Sequence, residues 1–230
     1  MSHRPATMPL DTVVVDYGGV LTNPLLETFG AFVERVGMDM ATVAGAFAAA
    51  TERHGVSPMA ALEVGEITEG EMVRRLLAEL PAELQPRATM AMRERSFGEL
   101  WFQGRRPNQP FIDFLRELRG DGHRLALLTN NVLEWEVRWR ADLPVDELFD
   151  LVVNSSHEGV RKPEPRVYEI LLHRLCARPA QCLFVDDSEE NCAAAAELGM
   201  RTVRFVDNAS TVEAVRDALA PVGARRGPVR

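Results

Sequence analysis

The stretch TVVVDYGGVLT, residues 12–22, decides the fold of this chain. Its three consecutive valines are β-branched and apolar, a pattern that predicts a short strand buried on both faces. The glycine pair Gly18 and Gly19 then breaks the strand, so Asp16 is expected at its carboxyl end. Ligands bind at that edge of an open parallel sheet. A carboxylate there either caps the next turn or acts as a nucleophile or metal ligand, and the second role needs partners from other strands.

The composition is that of a globular protein with an acidic balance. The chain has 230 residues, of which 46% are hydrophobic, and a net charge of −8. This charge argues against a nucleic-acid partner, because the only basic cluster is the short tail of Arg225, Arg226 and Arg230. No apolar run reaches the length of a membrane span, and residues 1–10, a predicted mobile leader, lack the apolar centre of a signal peptide. We therefore expect no membrane partner and a cytoplasmic location. The sequence leaves the oligomeric state open.

Cysteine usage fits the same compartment. The three cysteines are odd in number and lack the spacing of a metal site, which is typical of reduced thiols. Cys182 falls in a predicted strand and Cys192 in a predicted helix. We expect both to be small buried hydrophobic residues rather than catalytic groups.

Residues 24–104 have helical periodicity and almost no strand pattern. The predicted helices of this segment cover residues 25–36, 41–51, 69–80 and 86–100. Thr68 and Glu71 form a capping-box pattern at the start of the third one. The sequence therefore predicts an all-helical domain inserted directly after the first strand.

From residue 109 onward, predicted strands alternate with predicted helices. The strands cover residues 124–129, 148–154, 181–186 and 201–206. The helices cover residues 111–119, 132–140, 166–175 and 189–198, and a last helix opens with Ser210 and Glu213. Such alternation predicts an α/β fold with a doubly wound parallel sheet. The core would comprise residues 1–23 and 105–230, and residues 24–104 would form a helical cap that can act as a lid.

Each later strand also ends in a polar group. The second strand ends at Thr129, followed by Asn130 and Asn131, and the loop after the third strand carries Lys162. Taken alone, the first group is typical of a helix cap and the lysine of a solvated surface. The fourth strand ends in the adjacent carboxylates Asp186 and Asp187, whose repulsion a magnesium ion would relieve. Together with Asp16, these groups are the set that phosphoryl transfer through an aspartyl phosphate requires.

Four segments carry a family resemblance: VVVDYGGVLTNP, LALLTNN, RKPEPRVYEILL and CLFVDDSEENCAAAAELGM. On these motifs the chain resembles the haloacid dehalogenase superfamily of hydrolases, whose core is a Rossmann-like sheet. The helical insert is similar to the cap of the subgroup that includes the phosphatase domain of soluble epoxide hydrolases. The resemblance covers nearly the whole chain.

The resemblance implies a role for each strand-end residue. Asp16 would attack the phosphorus of a small phosphate ester, with Thr129 and Lys162 as further catalytic residues. The residues implied to bind substrate are Thr129, Asn130, Asn131 and Lys162. The groups implied to hold Mg²⁺ are the Asp16 carboxylate, the Gly18 carbonyl and Asp187, with Asp186 as a ligand or a supporting acceptor. Asn191 would position the acidic loop.

Gly18 departs from the family pattern. Phosphatases of this superfamily usually carry a second Asp two residues after the nucleophile, and it protonates the leaving group. General acid or base catalysis is typically worth ~10²- to 10⁴-fold, so its absence would slow a phosphatase without abolishing its activity. Tyr17 is expected to point to the opposite side of the strand and to be a poor substitute. His157 and His54 are more typical of surface histidines than of proton donors.

The favoured function is a Mg²⁺-dependent phosphatase of a small phosphorylated metabolite. One alternative is metal-independent hydrolysis at carbon, as in the haloacid dehalogenases, but Asp186 and Asp187 would then have no cation to pair with. Another is a non-catalytic binding domain that keeps the fold. The identity of the substrate is not specified by any feature of residues 24–104.

Overall fold

The computed structural model describes residues 10–220, and these form a five-stranded parallel sheet surrounded by helices. The strands are β1 (Thr12–Val15), β2 (Arg124–Thr129), β3 (Leu151–Asn154), β4 (Cys182–Asp186) and β5 (Arg201–Arg204). Their order across the sheet is β3-β2-β1-β4-β5. The predicted doubly wound sheet is therefore confirmed, with β1 at its centre. Most of the predicted leader and the three tail arginines lie outside the described residues.

Thirteen α-helices occur in the described part of the chain. Between β1 and β2 lie α1 (Leu25–Arg35), α2 (Met40–His54), α3 (Pro58–Glu63), α4 (Glu69–Glu79), α5 (Gln85–Glu94), α6 (Phe97–Phe102) and α7 (Gln109–Gly120). After β2 come α8 (Glu136–Asp142), α9 (Val145–Leu148), α10 (Ser155–Glu158), α11 (Pro165–Leu175), α12 (Glu189–Glu197) and α13 (Asn208–Leu219). No helix among residues 10–220 combines the length and the apolar character that a membrane crossing needs.

The central strand β1 is buried on both faces because successive side chains of a strand point in opposite directions. Val13 and Val15 belong to a hydrophobic cluster that includes Phe111 of α7. Val14 belongs to a second cluster on the other face, which includes Leu171 of α11. Parallel pairing with β2 and β4 holds both edges of β1. The residue that follows β1, Asp16, therefore starts from a fixed position.

Three helices of the insert, α2, α4 and α6, begin at side-chain caps. Asp39 accepts a hydrogen bond from the Thr42 backbone N–H at 2.8 Å. The predicted cap of α4 is confirmed, because Thr68 Oγ1 accepts from the Glu71 N–H at 3.2 Å. Such contacts satisfy N–H groups that have no partner within the helix.

Polar contacts join the insert to the core. The carboxylate of Glu63, at the end of α3, pairs with Arg161 Nε at 2.8 Å, and the Glu63 carbonyl accepts from Ser155 Oγ at 2.6 Å. Further along, Arg138 Nη2 of α8 donates to Glu99 of α6 at 3.0 Å. These contacts hold α3 and α6 against loops and helices of the core, so that the insert lies over the strand ends.

Two predicted helices of the chain are interrupted in the structure. The predicted helix over residues 86–100 is two helices, α5 and α6, because Ser96 leaves the helical conformation and forms a capping box with Glu99. The predicted helix over residues 132–140 begins as a 3₁₀ turn, Leu133–Trp135, before α8. In the first case a local cap starts a new helix where the apolar spacing alone would continue the old one. Helix α3 lies between the predicted helices and was not predicted.

Three predicted boundaries were also wrong. The strand predicted from Leu148 starts at Leu151, because residues 145–148 form the short helix α9. The last helix starts at Asn208 rather than at Ser210, because the Asp207 side chain accepts from the Ser210 N–H at 2.9 Å and caps the helix earlier. Gly120 lies within α7, and it is Gly122, with φ +91°, that takes the left-handed turn.

Candidate active site

A buried lysine binds the first aspartate to the later acidic pair. Lys162 is the only lysine in the sequence, and its side chain is 1% exposed. Its Nζ donates to Asp16 Oδ1 at 2.5 Å, to Asp186 Oδ2 at 2.7 Å and to the Leu128 carbonyl at 2.8 Å. An ammonium group has three N–H donors, so all of them are used. The ends of β1, β2 and β4 are thus joined at one charged centre.

Burial and charge act against each other at this centre. Burial raises the pKa of Asp16 to about 7, against the lowering effect of Lys162, and the neighbouring Asp186 raises it further. Burial lowers the pKa of Lys162, but the carboxylates of Asp16 and Asp186 outweigh it and hold that pKa above its ordinary value. Burial, and then the charge of Asp186, raise the pKa of Asp187 as well. The centre therefore has more negative groups than its lysine can neutralise.

The two carboxylates of the acidic pair have different surroundings. Asp186 is fully buried and accepts hydrogen bonds from Lys162, from the Ser188 N–H at 2.9 Å and from Asn191 Nδ2 at 3.0 Å. Asp187 lines a cavity and makes no ion pair with any residue in 10–220. One carboxylate oxygen from each of Asp16, Asp186 and Asp187 can be chosen so that all three lie within 4.8 Å of one another. Asn191 contacts Asp186 as the sequence led us to expect.

The glycine turn after Asp16 lets the chain pass close to Asp187. Gly19 has φ +84°, a left-handed conformation, and a Cβ there would collide with the Asp187 carboxylate. At Gly18 the space is tight but not closed. A Cβ on Gly18 would lie 3.2 Å from Leu25 Cδ2 and 3.3 Å from Arg105 Nη2, both ends of flexible side chains. Gly19 is therefore required by the backbone, whereas Gly18 is not.

The residues after β2 occupy different places. Thr129 is 1% exposed and is not among the residues that line the cavity. Asn130 lines it and makes two hydrogen bonds with the backbone of Lys162, at 2.8 and 2.9 Å, which fix the lysine loop. Asn131 also lines it, while its Oδ1 accepts from the Val132 N–H at 2.9 Å. The structure therefore brings Asn130, Asn131 and Lys162 together beside Asp16, and places Thr129 behind them.

The cavity above these residues has a volume of about 340 Å³. Its charged floor consists of Asp16, Lys162 and Asp187, and its aromatic wall consists of Tyr17, Trp101 and Trp135. The phenol of Tyr17 is buried without a hydrogen-bond partner among the described residues, and burial raises its pKa further. Tyr17 belongs to the same hydrophobic cluster as Val13 and Val15, as strand alternation predicts, and it also lines the cavity. The cavity has room for a phosphate group and a small organic part.

Neither candidate histidine reaches this cavity. His157 lies on α10, half-exposed, with its Nε2 2.5 Å from Glu136 Oε2. His54 is the last residue of α2 and is exposed. Neither is among the lining residues. Neither of these two histidines therefore takes the position of the missing acid.

A family model for haloacid dehalogenase-like hydrolases matches residues 10–199. The chain belongs to this family. The hydrolase is 32% identical over 118 residues to the sesquiterpene phosphatase astK of Aspergillus oryzae, a match that covers 48% of this chain and 57% of that protein. It is 29% identical over 109 residues to the bifunctional epoxide hydrolase 2 of Rattus norvegicus, covering 46% of this chain and 20% of that protein. The matched stretches thus span about half or less of the length of these relatives.

The fold of the hydrolase is also found among solved structures. One is a haloacid dehalogenase family enzyme from Bacteroides thetaiotaomicron, solved in complex with magnesium and inorganic phosphate. It superimposes with a TM-score of 0.61 and 22% identity, covering 86% of this chain and 94% of that one. At this identity the likeness concerns the fold, and it agrees with the predicted core.

Four charged residues that line the hydrolase's cavity were missed from the sequence: Arg105, Glu63, Arg161 and Glu190. Arg105 lies where the insert returns to the core, and Glu63 and Arg161 form the ion pair between α3 and the lysine loop. Burial raises the pKa of Glu63, against the lowering effect of Arg161. The only sequence signal for Arg161 was its position next to Lys162, and neither Arg105 nor Glu63 lies in a motif.

Proposed function

We propose that the hydrolase is a Mg²⁺-dependent phosphatase that cleaves a small phosphorylated metabolite through an aspartyl-phosphate intermediate. The observation that carries this proposal is the convergence of Asp16, Asp186 and Asp187, with carboxylate oxygens within 4.8 Å, beside the buried Lys162. Such a centre suits an anionic ester only when a further cation is present, because the carboxylates outnumber the lysine.

The donor set fits magnesium, which prefers a few carboxylates together with water and phosphate oxygens. Asp16, the Gly18 carbonyl and Asp187 would hold the ion. Asp186 already accepts from Lys162, Ser188 and Asn191, which supports a role in orienting the site rather than in direct binding. Bound there, Mg²⁺ supplies positive charge that neutralises the carboxylates and the phosphoryl oxygens.

The proposed reaction has two displacements at phosphorus. An Asp16 oxygen attacks the phosphorus, the bond to the leaving oxygen breaks, and the phosphoryl group stays on Asp16. Water then attacks that phosphorus, releases inorganic phosphate and restores the carboxylate. Lys162 keeps the Asp16 carboxylate oriented through its hydrogen bond and balances its charge. Asn130 and Asn131, which line the cavity, are the proposed phosphate-binding residues, whereas the buried Thr129 does not line it.

Sequence relatives that are named phosphatases support the phosphatase reaction. The Aspergillus oryzae relative is named a sesquiterpene phosphatase, and the Bacteroides thetaiotaomicron enzyme of the same fold was solved with magnesium and inorganic phosphate. We further propose that residues 24–104 act as a cap domain on a core of residues 1–23 and 105–230. The contribution of Glu63 and Trp101 to the cavity wall supports a role of the cap in substrate choice.

A phosphate-release assay on a panel of phosphate monoesters, with excess MgCl₂ or with EDTA, tests the proposal. We expect turnover that depends on Mg²⁺ and that is restored when Mg²⁺ replaces EDTA. Release of halide from a 2-haloacid in EDTA would instead support hydrolysis at carbon. Binding of phosphate esters without any turnover would support a non-catalytic domain.

A further inference from the structure

Arg105 places a guanidinium group inside the cavity wall. It follows α6, and its guanidinium carbon lies 4.8 Å from the ring centroid of Tyr17 and 5.9 Å from that of Trp101. Nη1 donates to Thr22 Oγ1 at 3.0 Å. Both Tyr17 and Trp101 line the same cavity as Asp16 and Arg105. The aromatic rings and the threonine therefore fix where the guanidinium lies.

The contacts of this cation are with aromatic rings and a hydroxyl group. Within residues 10–220, Arg105 forms no ion pair with a carboxylate, and its Nε is buried without a hydrogen-bond partner. Burial lowers the pKa of Arg105, but a guanidinium remains protonated in proteins. A partly buried positive charge that is not paired with a carboxylate is costly. The Arg105 guanidinium is therefore positioned to pair with negative charge on a bound substrate.

The guanidinium occupies the space above Gly18. A Cβ on Gly18 would lie 3.3 Å from Arg105 Nη2 and 3.7 Å from Nη1. Gly18 is two residues after Asp16, where the family resemblance places the acid that protonates the leaving group. The N–H groups of Arg105 therefore lie where the carboxyl group of that acid would extend. Leu25, the other neighbour of this space, has no polar group to offer.

We propose that Arg105 binds the leaving-group oxygen and stabilises its developing negative charge in place of a general acid. The inference rests on the proposed phosphatase function. As Asp16 bonds to phosphorus, the electron pair of the breaking P–O bond stays on the leaving oxygen. That oxygen departs as an anion hydrogen-bonded to Arg105 and takes its proton from water, because the guanidinium does not give one up.

This arrangement selects a class of substrate. Without proton transfer, the leaving group must itself be stable as an anion. A hydrogen bond from the guanidinium stabilises that anion only in part. Acyl, enol and aryl phosphates meet it, and simple alkyl phosphates meet it poorly. The aromatic wall formed by Trp101 and Trp135 suits a flat leaving group of this class.

The test measures kcat/KM with Mg²⁺ on three esters of rising leaving-group pKa: 4-nitrophenyl, phenyl and ethyl phosphate. Arg105→Gln keeps most of the stem that packs on the rings but removes the charge. We expect it to lower kcat/KM by about 10²-fold on ethyl phosphate, the size of one lost charge-stabilising donor, and by only a few-fold on 4-nitrophenyl phosphate. For Arg105→Gln, kcat/KM is therefore expected to fall more steeply with the leaving-group pKa than for the wild type. Arg106→Gln, which alters the exposed neighbouring arginine, is the matched control and leaves all three rates unchanged.

An equal loss on all three esters would overturn the inference, because a merely structural role of Arg105 would not depend on the leaving group. Circular dichroism and the thermal midpoint report whether Arg105→Gln is folded. If it is not, Arg105→Lys replaces it, with an expected loss of about tenfold confined to ethyl phosphate, and equal losses again overturn the inference. If the wild type releases no phosphate from any of the esters in Mg²⁺, the proposed function itself fails, and the inference fails with it.

Discussion

The two sides of the cavity are built in different ways. The nucleophile side, named for the proposed role of Asp16, consists of Asp16 and the acidic pair at the ends of β1 and β4, and of Lys162, which binds Asp16 and Asp186. The leaving-group side consists of Arg105 and residues of the helical insert, held by aromatic contacts and by ion pairs such as Glu63 with Arg161. The first side depends on the sheet alone. The second depends on how the insert lies on the core, so that chemistry and substrate choice can change separately.

The largest expected effect is that of Asp16→Asn on the nucleophile side. The amide has the shape of the carboxylate but cannot form the proposed intermediate, and we expect phosphate release to fall by about 10⁴-fold or more. The fold should persist, because Lys162 keeps its hydrogen bond to Asp186. Asp113→Asn, at an exposed position on α7, is the control and should not change the rate. Wild-type turnover by Asp16→Asn would contradict the proposed mechanism.

The next effect tests how closely the glycine turn must approach the acidic pair. Gly19→Ala puts a side chain against Asp187 and into a left-handed conformation that costs about 1–2 kcal/mol. Displacement of Asp187 should lower kcat by about 10²-fold. Gly30→Ala is the matched control, since a Cβ there meets no atom within 4 Å on helix α1, and it should stabilise the protein by up to about 1 kcal/mol. Urea denaturation measures the free energy of unfolding of both variants, and phosphate release measures their kcat. If the two variants have equal stability and equal kcat, the role assigned to the glycine turn is contradicted.

On the leaving-group side, an acid can be returned to its usual position. Gly18→Asp combined with Arg105→Gln should raise kcat/KM on ethyl phosphate relative to Arg105→Gln alone, by about 10²-fold if general acid catalysis is restored. Removing the guanidinium frees space and prevents an ion pair with the new carboxylate. Gly18→Asn in the same background has the same shape but no acidic proton, and should give no gain. A gain of equal size from Asn would argue against proton transfer.

The smallest expected effect concerns the contact between insert and core. Glu63→Gln leaves Arg161 without its carboxylate partner, and we expect the free energy of unfolding to fall by about 1 kcal/mol, because both side chains are only partly exposed. Glu27→Gln, which breaks the well-exposed pair with Arg106, should cost a few tenths of a kcal/mol at most. Urea midpoints compare the two variants. If Glu63→Gln costs no more than Glu27→Gln, this ion pair does not help to hold the insert in place.

The nucleophile side was largely readable from the sequence because its signals are local. A run of valines before Asp16, a strand pattern before Thr129 and another before Asp186 each predict a strand end, and parallel strands bring those ends to one edge of the sheet. The structure has these strands and joins Asp16 to Asp186 through Lys162. The catalytic and binding roles of these residues stay predictions.

The leaving-group side could not be predicted from the sequence, because no local pattern distinguishes its residues from ordinary surface residues. Arg105 is followed by another arginine, and only the packing of Tyr17 and Trp101 against it separates the two. Glu63 belongs to a short helix that apolar spacing did not reveal. The helix break at Ser96 and the short helix α9 after Pro144 were missed for a similar reason, since caps and prolines compete with periodicity over only a few residues.

The single lysine of this sequence has a practical consequence. Because every other basic side chain apart from the histidines is an arginine, a lysine-directed acylating reagent has one side-chain target, and that amine is buried and bound by two carboxylates. Its rate of labelling would therefore report how often this enclosed centre becomes accessible to solvent, without any engineered probe.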